Sequence, residues 1–291
     1  MKKINFFCFG FGQVAKNFIR KLAYQNIDFN LNVTNREKSQ KKLIDKISYN
    51  SFQFNENTYD KSLITKLNES DHILISIPPV NGTDTVIDNF KKILDKKNHK
   101  WITYLSATSV YGDHKGKWVN EKSDVSPTSL NGINRLNVEK SWMSLANYKD
   151  LPLQIFRLSG IYSNERNILV RIKSGKAKIV NKKNHFFSRI HVEDIANVLL
   201  KSLKNFRSKE IYNISDDKPA SSEEITMYAA KLLGLKIPDR VDFNLIESEM
   251  LRDFYKDSKK VSNKKMKLFF NYELVHPTYI EGLNHIRDNS I

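Results

Sequence analysis

The chain has 291 residues, 40% hydrophobic and 27% charged, as expected of a globular protein with one large core or two smaller ones. Its single cysteine, Cys8, excludes an internal disulfide and a multi-cysteine zinc site. The net charge of +16 is spread over lysines along the whole chain, with no basic arm carrying interleaved aromatics, so nucleic acid is not the expected partner.

Met1-Lys2-Lys3 before an apolar run resembles a secretory signal, but Gly10 and Gly12 interrupt the run and no small-residue cleavage site follows. No segment reaches the roughly 20 apolar residues of a bilayer crossing. A cytoplasmic chain without membrane association is therefore expected. Strands are predicted at Lys3–Phe9, Asn30–Thr34, Ser51–Phe54, His72–Ile77, Trp101–Ser106 and Leu153–Leu158. Cys8 falls in the first of these as inert core. Amphipathic stretches separate the strands, the first carrying Val14, Phe18, Ile19 and Leu22 at helical spacing. Strands alternating with helix-length segments predict an α/β fold with a doubly wound parallel sheet. Ile190–Ile195 and Glu210–Ile214 read as returns to that sheet. Beyond about residue 216 the pattern is mostly helical, and Ser221-Ser222-Glu223-Glu224 is a capping signature for a helix over Ser221–Leu233.

Between the first strand and first helix lies Gly10-Phe11-Gly12-Gln13-Val14-Ala15. In a dinucleotide-binding (Rossmann) turn, Gly10 permits the tight bend and Gly12 lets the backbone approach a pyrophosphate. Ala15 lets the helix pack closely, with its amino end aimed at the phosphates. The second strand ends Val33-Thr34-Asn35-Arg36, with no carboxylate before Glu37. A basic residue there pairs with a 2′-phosphate, so NADP is favoured over NAD. Ser76-Ile77-Pro78 ends the fourth strand at the edge where open sheets bind ligands, and Asn55 lies where a polar side chain meets an adenine. The expected organisation is a dinucleotide-binding domain of residues 1–165 and 189–215. A smaller, mostly helical C-terminal substrate domain takes 166–188 and 216–291.

Several later segments fall in one order. Leu105-Ser106-Ala107-Thr108-Ser109-Val110-Tyr111-Gly112, Arg157-Leu158-Ser159-Gly160-Ile161-Tyr162, Arg189-Ile190-His191-Val192-Glu193-Asp194-Ile195-Ala196 and Glu210-Ile211-Tyr212-Asn213-Ile214 resemble segments of extended short-chain dehydrogenases/reductases. Tyr104 to Asp113, Phe187 to Ala196, Val261 to Lys264 and Pro277 to Leu283 are similar to the atypical NAD(P)-dependent epimerase/dehydratase subgroup. The resemblance implies NAD(P)-dependent chemistry on a nucleotide sugar or related small molecule. It also implies a homodimer, and it adds Ser159 and Arg135 to the cofactor residues.

The resemblance also implies a catalytic tyrosine, a lysine four residues later and a serine or threonine. Pro127, Ser129 and Glu139 keep the family spacing, which places Asn131 at the tyrosine, Arg135 at the lysine and Ala107 at the serine. Asn131 cannot ionise and Arg135 does not release its proton. Thr108 supplies the missing hydroxyl only with a one-residue shift of the loop. Thr108, Asn131, Arg135 and Tyr111 form the candidate catalytic set. Asp113, Glu121, Tyr162 and His191 are substitutes whose plainer role is structural hydrogen bonding or packing. Two readings stay open: an oxidoreductase with non-standard acid/base groups, or a catalytically silent NADP-binding sensor or scaffold.

Overall fold

Phe6, Phe7, Cys8 and Phe9 are all fully buried, the state of a central parallel strand covered on both faces. Burial pushes the Cys8 thiol up to about 12, which keeps it protonated and inert. The computed structural model describes residues 3–56, 58–95, 97–182, 184–246, 252 and 255–290. It begins with β1 (Ile4–Phe9), α1 (Gln13–Tyr24), β2 (Phe29–Asn35), β3 (Gln40–Ile44), β4 (Ile47–Asn55) and β5 (Thr58–Tyr59). There follow α2 (Ser62–Asn68), β6 (His72–Ile75), α3 (Thr85–Phe90), β7 (Trp101–Ala107), β8 (Trp118–Val119), α4 (Leu130–Lys149) and β9 (Leu153–Leu158). Next come β10 (Gly160–Tyr162), α5 (Ile168–Lys173), β11 (Ile179–Asn181), β12 (Arg189–His191), α6 (Val192–Ser202) and β13 (Glu210–Ile214). The chain continues through α7 (Ser222–Leu233), β14 (Arg240–Asp242), β15 (Lys260–Val261), α8 (Lys264–Phe270) and α9 (Tyr279–Ser290).

The nine-stranded sheet runs β13-β9-β7-β6-β1-β2-β4-β3, with β5 beside β4. β1 pairs parallel with β2 and β6, β6 with β7, and β2 with β4. This is the doubly wound α/β sheet expected from the strand and helix alternation. The connection between β2 and β4 differs from the expected pattern. No helix forms there; the chain turns back at Asp45 and Lys46, at φ 46° and 71°, and β3 pairs antiparallel with β4. Two consecutive left-handed residues match the twist of a hairpin, but Asp-Lys lacks the Asn-Gly signature that marks one in sequence.

The segment Ile190–Ile195 is also different. It is strand only through His191, in β12, which pairs with β10 in a separate two-stranded sheet. Glu193 and Asp194 then open α6, where Val192, Ile195, Ala196 and Leu199 are buried at helical spacing. β6 stops at Ile75, before Pro78 and Pro79, which have no N–H to extend a ladder.

The chain divides into two compact units. The first comprises Met1–Ser106, Asn134–Arg157 and Ile195–Tyr212. Phe7, Phe9, Phe52, Phe54, Phe90 and Trp142 lie in its core. The second comprises Ala107–Ile133, Leu158–Asp194 and Asn213–Ile291. In it α5, α7 and α9 share a core that includes Leu169, Ile172, Ala229, Leu283 and Ile286. Ser221 caps α7 by accepting from the Glu224 amide at 3.0 Å, as its sequence signature predicts. Among the described residues no helix is long and apolar enough to cross a membrane.

Within the first unit, Arg157 on β9 forks onto Glu139 of α4, with Nε at 3.1 Å and Nη2 at 2.7 Å from the carboxylate. Both side chains are only 4% exposed, so each charge depends on the other. Glu139→Ala should cost about 3–5 kcal/mol in urea unfolding by stranding the guanidinium, whereas Glu139→Leu with Arg157→Met should be near neutral. Equal losses in both variants would contradict this account.

Candidate functional site

In the first unit the glycine turn leaves β1 at Phe9. Gly10 has φ +84°, and a Cβ there would lie 2.8 Å from Ile77 Cγ2 and 2.9 Å from Ser76 Oγ. Its amide donates to Thr34 Oγ1 at 2.9 Å, and the Ser76 hydroxyl shares its proton between the Phe9 and Gly10 carbonyls, each at 3.1 Å. Gly10 is therefore required by the protein itself. Gly12 is not: it has φ −84°, allowed for any residue, and a Cβ there would meet nothing within 4 Å.

Gly12 is the N-cap of α1 and provides no side-chain cap, and the first turn carries no acidic residue. Val14 and the fully buried Ala15 seat the helix, while Gln13 is half-buried. The amino end of α1 thus has the form of an anion cradle, and the open space at Gly12 fits the close approach of a pyrophosphate.

At the end of β2, the Asn35 side chain donates to Ser51 Oγ at 2.7 Å and accepts from the Glu37 amide at 2.9 Å. Arg36 is exposed. Glu37, the nearest following carboxylate, pairs with Lys42 on β3, which holds its carboxyl below the usual range. The antiparallel strand thus engages that carboxylate through Lys42, a feature the sequence pattern did not reveal. Asn55 closes β4, Ile77 packs on the core and Pro78 is exposed. Arg135 Nη1 donates to the Leu105 carbonyl at 2.7 Å, which fixes it against the end of β7. The carboxyl ends of the adjacent strands β2, β1 and β6 therefore carry Asn35 and Arg36, the glycine turn, and Ser76 and Ile77 respectively.

In the second unit, residues 108–111 form one tight helical turn. The Tyr111 ring is fully buried and its hydroxyl donates to Asn213 Oδ1 at 2.8 Å. Gly112 follows at φ +71°, where any Cβ would overlap the Ser126 carbonyl. Ser159 is buried, and its amide donates to the Ile214 carbonyl at 3.0 Å.

The alternative acid/base candidates have structural partners. Asp113 accepts from the Ser258 amide at 2.9 Å and the Lys115 amide at 3.0 Å. Glu121 accepts from the Asn213 amide at 2.8 Å, and the Tyr162 hydroxyl faces the Thr278 carbonyl at 3.5 Å. His191 lies 4.1 Å, ring to ring, from His276; burial, then the neighbouring histidine, pushes it down to about 3.

A cavity of about 520 Å³ gathers Thr108, Ser109, Ser129, Asn131 and Ser188 as its polar lining. Ile161, Phe186, Phe187 and Val261 are among its apolar residues, and Arg189, Asp257 and Lys259 carry its charge. Thr108 and Asn131 are thus brought together, while Tyr111 is committed to Asn213. Sequence reasoning missed Asp257 and Lys259. Lys259 lies in a run with Lys256, Lys260, Lys264 and Lys265, and no spacing separates a buried lysine from solvated ones.

The two glycines of the turn make different predictions. Gly10→Val should cost about 2–4 kcal/mol through left-handed strain and overpacking. Gly12→Val should cost only about 1 kcal/mol, the loss of a favoured N-cap residue at an otherwise open position. Chemical unfolding of both variants checks this, and comparable losses would contradict it.

Known proteins share this fold. A family model described as "NAD dependent epimerase/dehydratase family" matches residues 79–215. A solved structure of a functionally unknown conserved protein from Silicibacter pomeroyi is 31% identical over 98% of both chains, with a TM-score of 0.85. A dTDP-glucose 4,6-dehydratase from Bacillus anthracis, solved with NAD, is 17% identical over 98% of this chain and 96% of its own, at TM-score 0.77. A UDP-glucuronic acid 4-epimerase from Bacillus cereus, also solved with NAD, is 14% identical over 97% and 95%, at TM-score 0.77. These last two likenesses concern the fold. No curated protein matches the sequence. With its glycine turn and doubly wound sheet, the chain belongs to the NAD dependent epimerase/dehydratase family.

Proposed function

We propose that this protein is an oxidoreductase of the epimerase/dehydratase type that prefers NADP to NAD and acts on a nucleotide sugar or related metabolite. It works without the family's serine, tyrosine and lysine. The observation that carries the reading is Gly12, a glycine that neither its backbone angles nor its neighbours require, at the uncapped amino end of α1. The backbone amides from Gly12 to Ala15 would hold the pyrophosphate, and Arg36 would pair with a 2′-phosphate. A bound nicotinamide supplies a hydride store. Arg135, anchored on Leu105, contributes fixed positive charge at the lysine position.

The cavity of the second unit suits a sugar ring: hydroxyl and amide side chains for hydroxyl groups, and Phe186 and Phe187 for the apolar face. Similar folds have been solved with UDP-glucose, as in a UDP-glucose 4-epimerase from Thermotoga maritima, which supports this substrate class. Thr108 and Asn131 would orient a substrate oxygen by hydrogen bonding, since neither exchanges a proton near neutral pH. Tyr111 would serve by fixing the turn that presents Thr108, because its hydroxyl is held by Asn213.

The non-ionising Asn131 favours the second reading, a silent cofactor-binding sensor or scaffold. A panel of nucleotide sugars with NADP and NADPH distinguishes the two. Turnover supports the enzyme, and tight NADPH binding without turnover supports the sensor. NADPH should bind roughly 10- to 100-fold tighter than NADH, and Arg36→Ala should remove most of that difference. Tighter binding of NADH by the unaltered protein would overturn the assignment of Arg36.

A further inference from the structure

The cavity beside Asn131 contains one side chain able to replace the proton-exchanging group that position 131 lacks. Thr108, Ser109, Ser129 and Ser188 do not ionise near neutral pH, and Arg189 keeps its proton. Asp257 already accepts from Thr128 Oγ1 at 2.6 Å. Lys259 remains.

We propose that Lys259 is the proton-exchanging residue of this cavity. The proposal rests on the oxidoreductase reading above.

Lys259 is 8% exposed, unlike the lysines around it, and its position is set by its backbone. The Ser258 amide donates to Asp113, the Val261 amide to Ser188 Oγ at 2.9 Å, and the Ser262 amide to the Val119 carbonyl at 2.8 Å. The ammonium donates to the Gly112 carbonyl at 2.9 Å and lies 3.5 Å from Asp257. Gly112 is held by its left-handed backbone angle and by Ser126, so the acceptor position is fixed too. The charged groups facing Lys259 are Asp257 and Asp113, with Arg189 on the same cavity. Burial lowers the proton affinity of the amine, and the two carboxylates offset part of that shift. A lysine amine can exchange a proton, which neither Asn131 nor Arg135 does, and burial here favours its uncharged form.

In the oxidative direction the substrate O–H bond breaks and an N–H bond forms on uncharged Nζ. The electron pair left on oxygen becomes the second C–O bond as the carbon gives up its hydride to an oxidised nicotinamide dinucleotide. The ammonium formed is stabilised by Asp257 and returns the proton in the reductive direction.

The test begins with acetylation by acetic anhydride over graded pH, read by mass spectrometry of the peptide carrying Lys259. Lys259 should titrate below Lys264, and Asp257→Asn should lower it further. Titration alongside Lys264 overturns the proposal. So does a Lys259 that stays unmodified at every pH while the protein remains folded, because the amine then does not open to the cavity.

Kinetics provide the second arm. With any nucleotide sugar that is turned over, Lys259→Met and Lys259→Arg should each lower kcat by about 100-fold or more, with NADPH affinity and circular dichroism unchanged. A Lys259→Arg variant with the original kcat would show that only charge is needed, and would overturn the assignment. If no nucleotide sugar is turned over, the oxidoreductase reading fails on that result, and the acetylation profile still decides whether Lys259 is the titrating group.

Discussion

The first unit depends on one close approach, where the ends of β1 and β6 meet at Gly10. A Cβ at Gly10 would run into the side chains of Ile77 and Ser76, and the Ser76 hydroxyl ties both carbonyls of the turn. With β1 buried on both faces, the chain must leave the sheet abruptly and enter α1 with Ala15 packed down. The exposed amino end of α1 follows from that geometry. Packing thus leaves the amino end of α1 exposed, and Gly12 keeps it open.

In the second unit, motif residues that resemble catalytic groups act as scaffold. The Tyr111 hydroxyl and the Glu121 carboxylate both bind Asn213, whose side chain in turn donates to the Ser262 carbonyl at 3.3 Å. Asn263 returns the connection to the Ser215 carbonyl at 2.8 Å. This network positions the segment from Asp257 to Asn263 along the cavity wall. The Val-Tyr-Gly and Tyr-Asn motifs thus have an architectural role of their own in this chain.

Most of the sheet was legible in the sequence because continuous apolar runs such as Phe6–Phe9 and Leu153–Leu158 have few other fates. The glycine turn was legible because Gly10 and Gly12 directly follow such a run. The β3 hairpin was not: its turn places Asp45 and Lys46 in left-handed conformations, and a lysine at the second of them gives no sign of it. The break at Val192 was missed because a short apolar run fits strand and helix equally, and only tertiary burial selects between them. Lys259 was hidden for a related reason. Its distinction is burial, a property of residues distant in sequence, and its neighbours are solvated lysines.

The account stands on a dinucleotide site at the amino end of α1. Titration of the purified protein with NADPH, followed by nicotinamide fluorescence, tests it most directly. The prediction is saturable binding of one NADPH per chain, displaced by NADP. A titration with no saturable signal would contradict it.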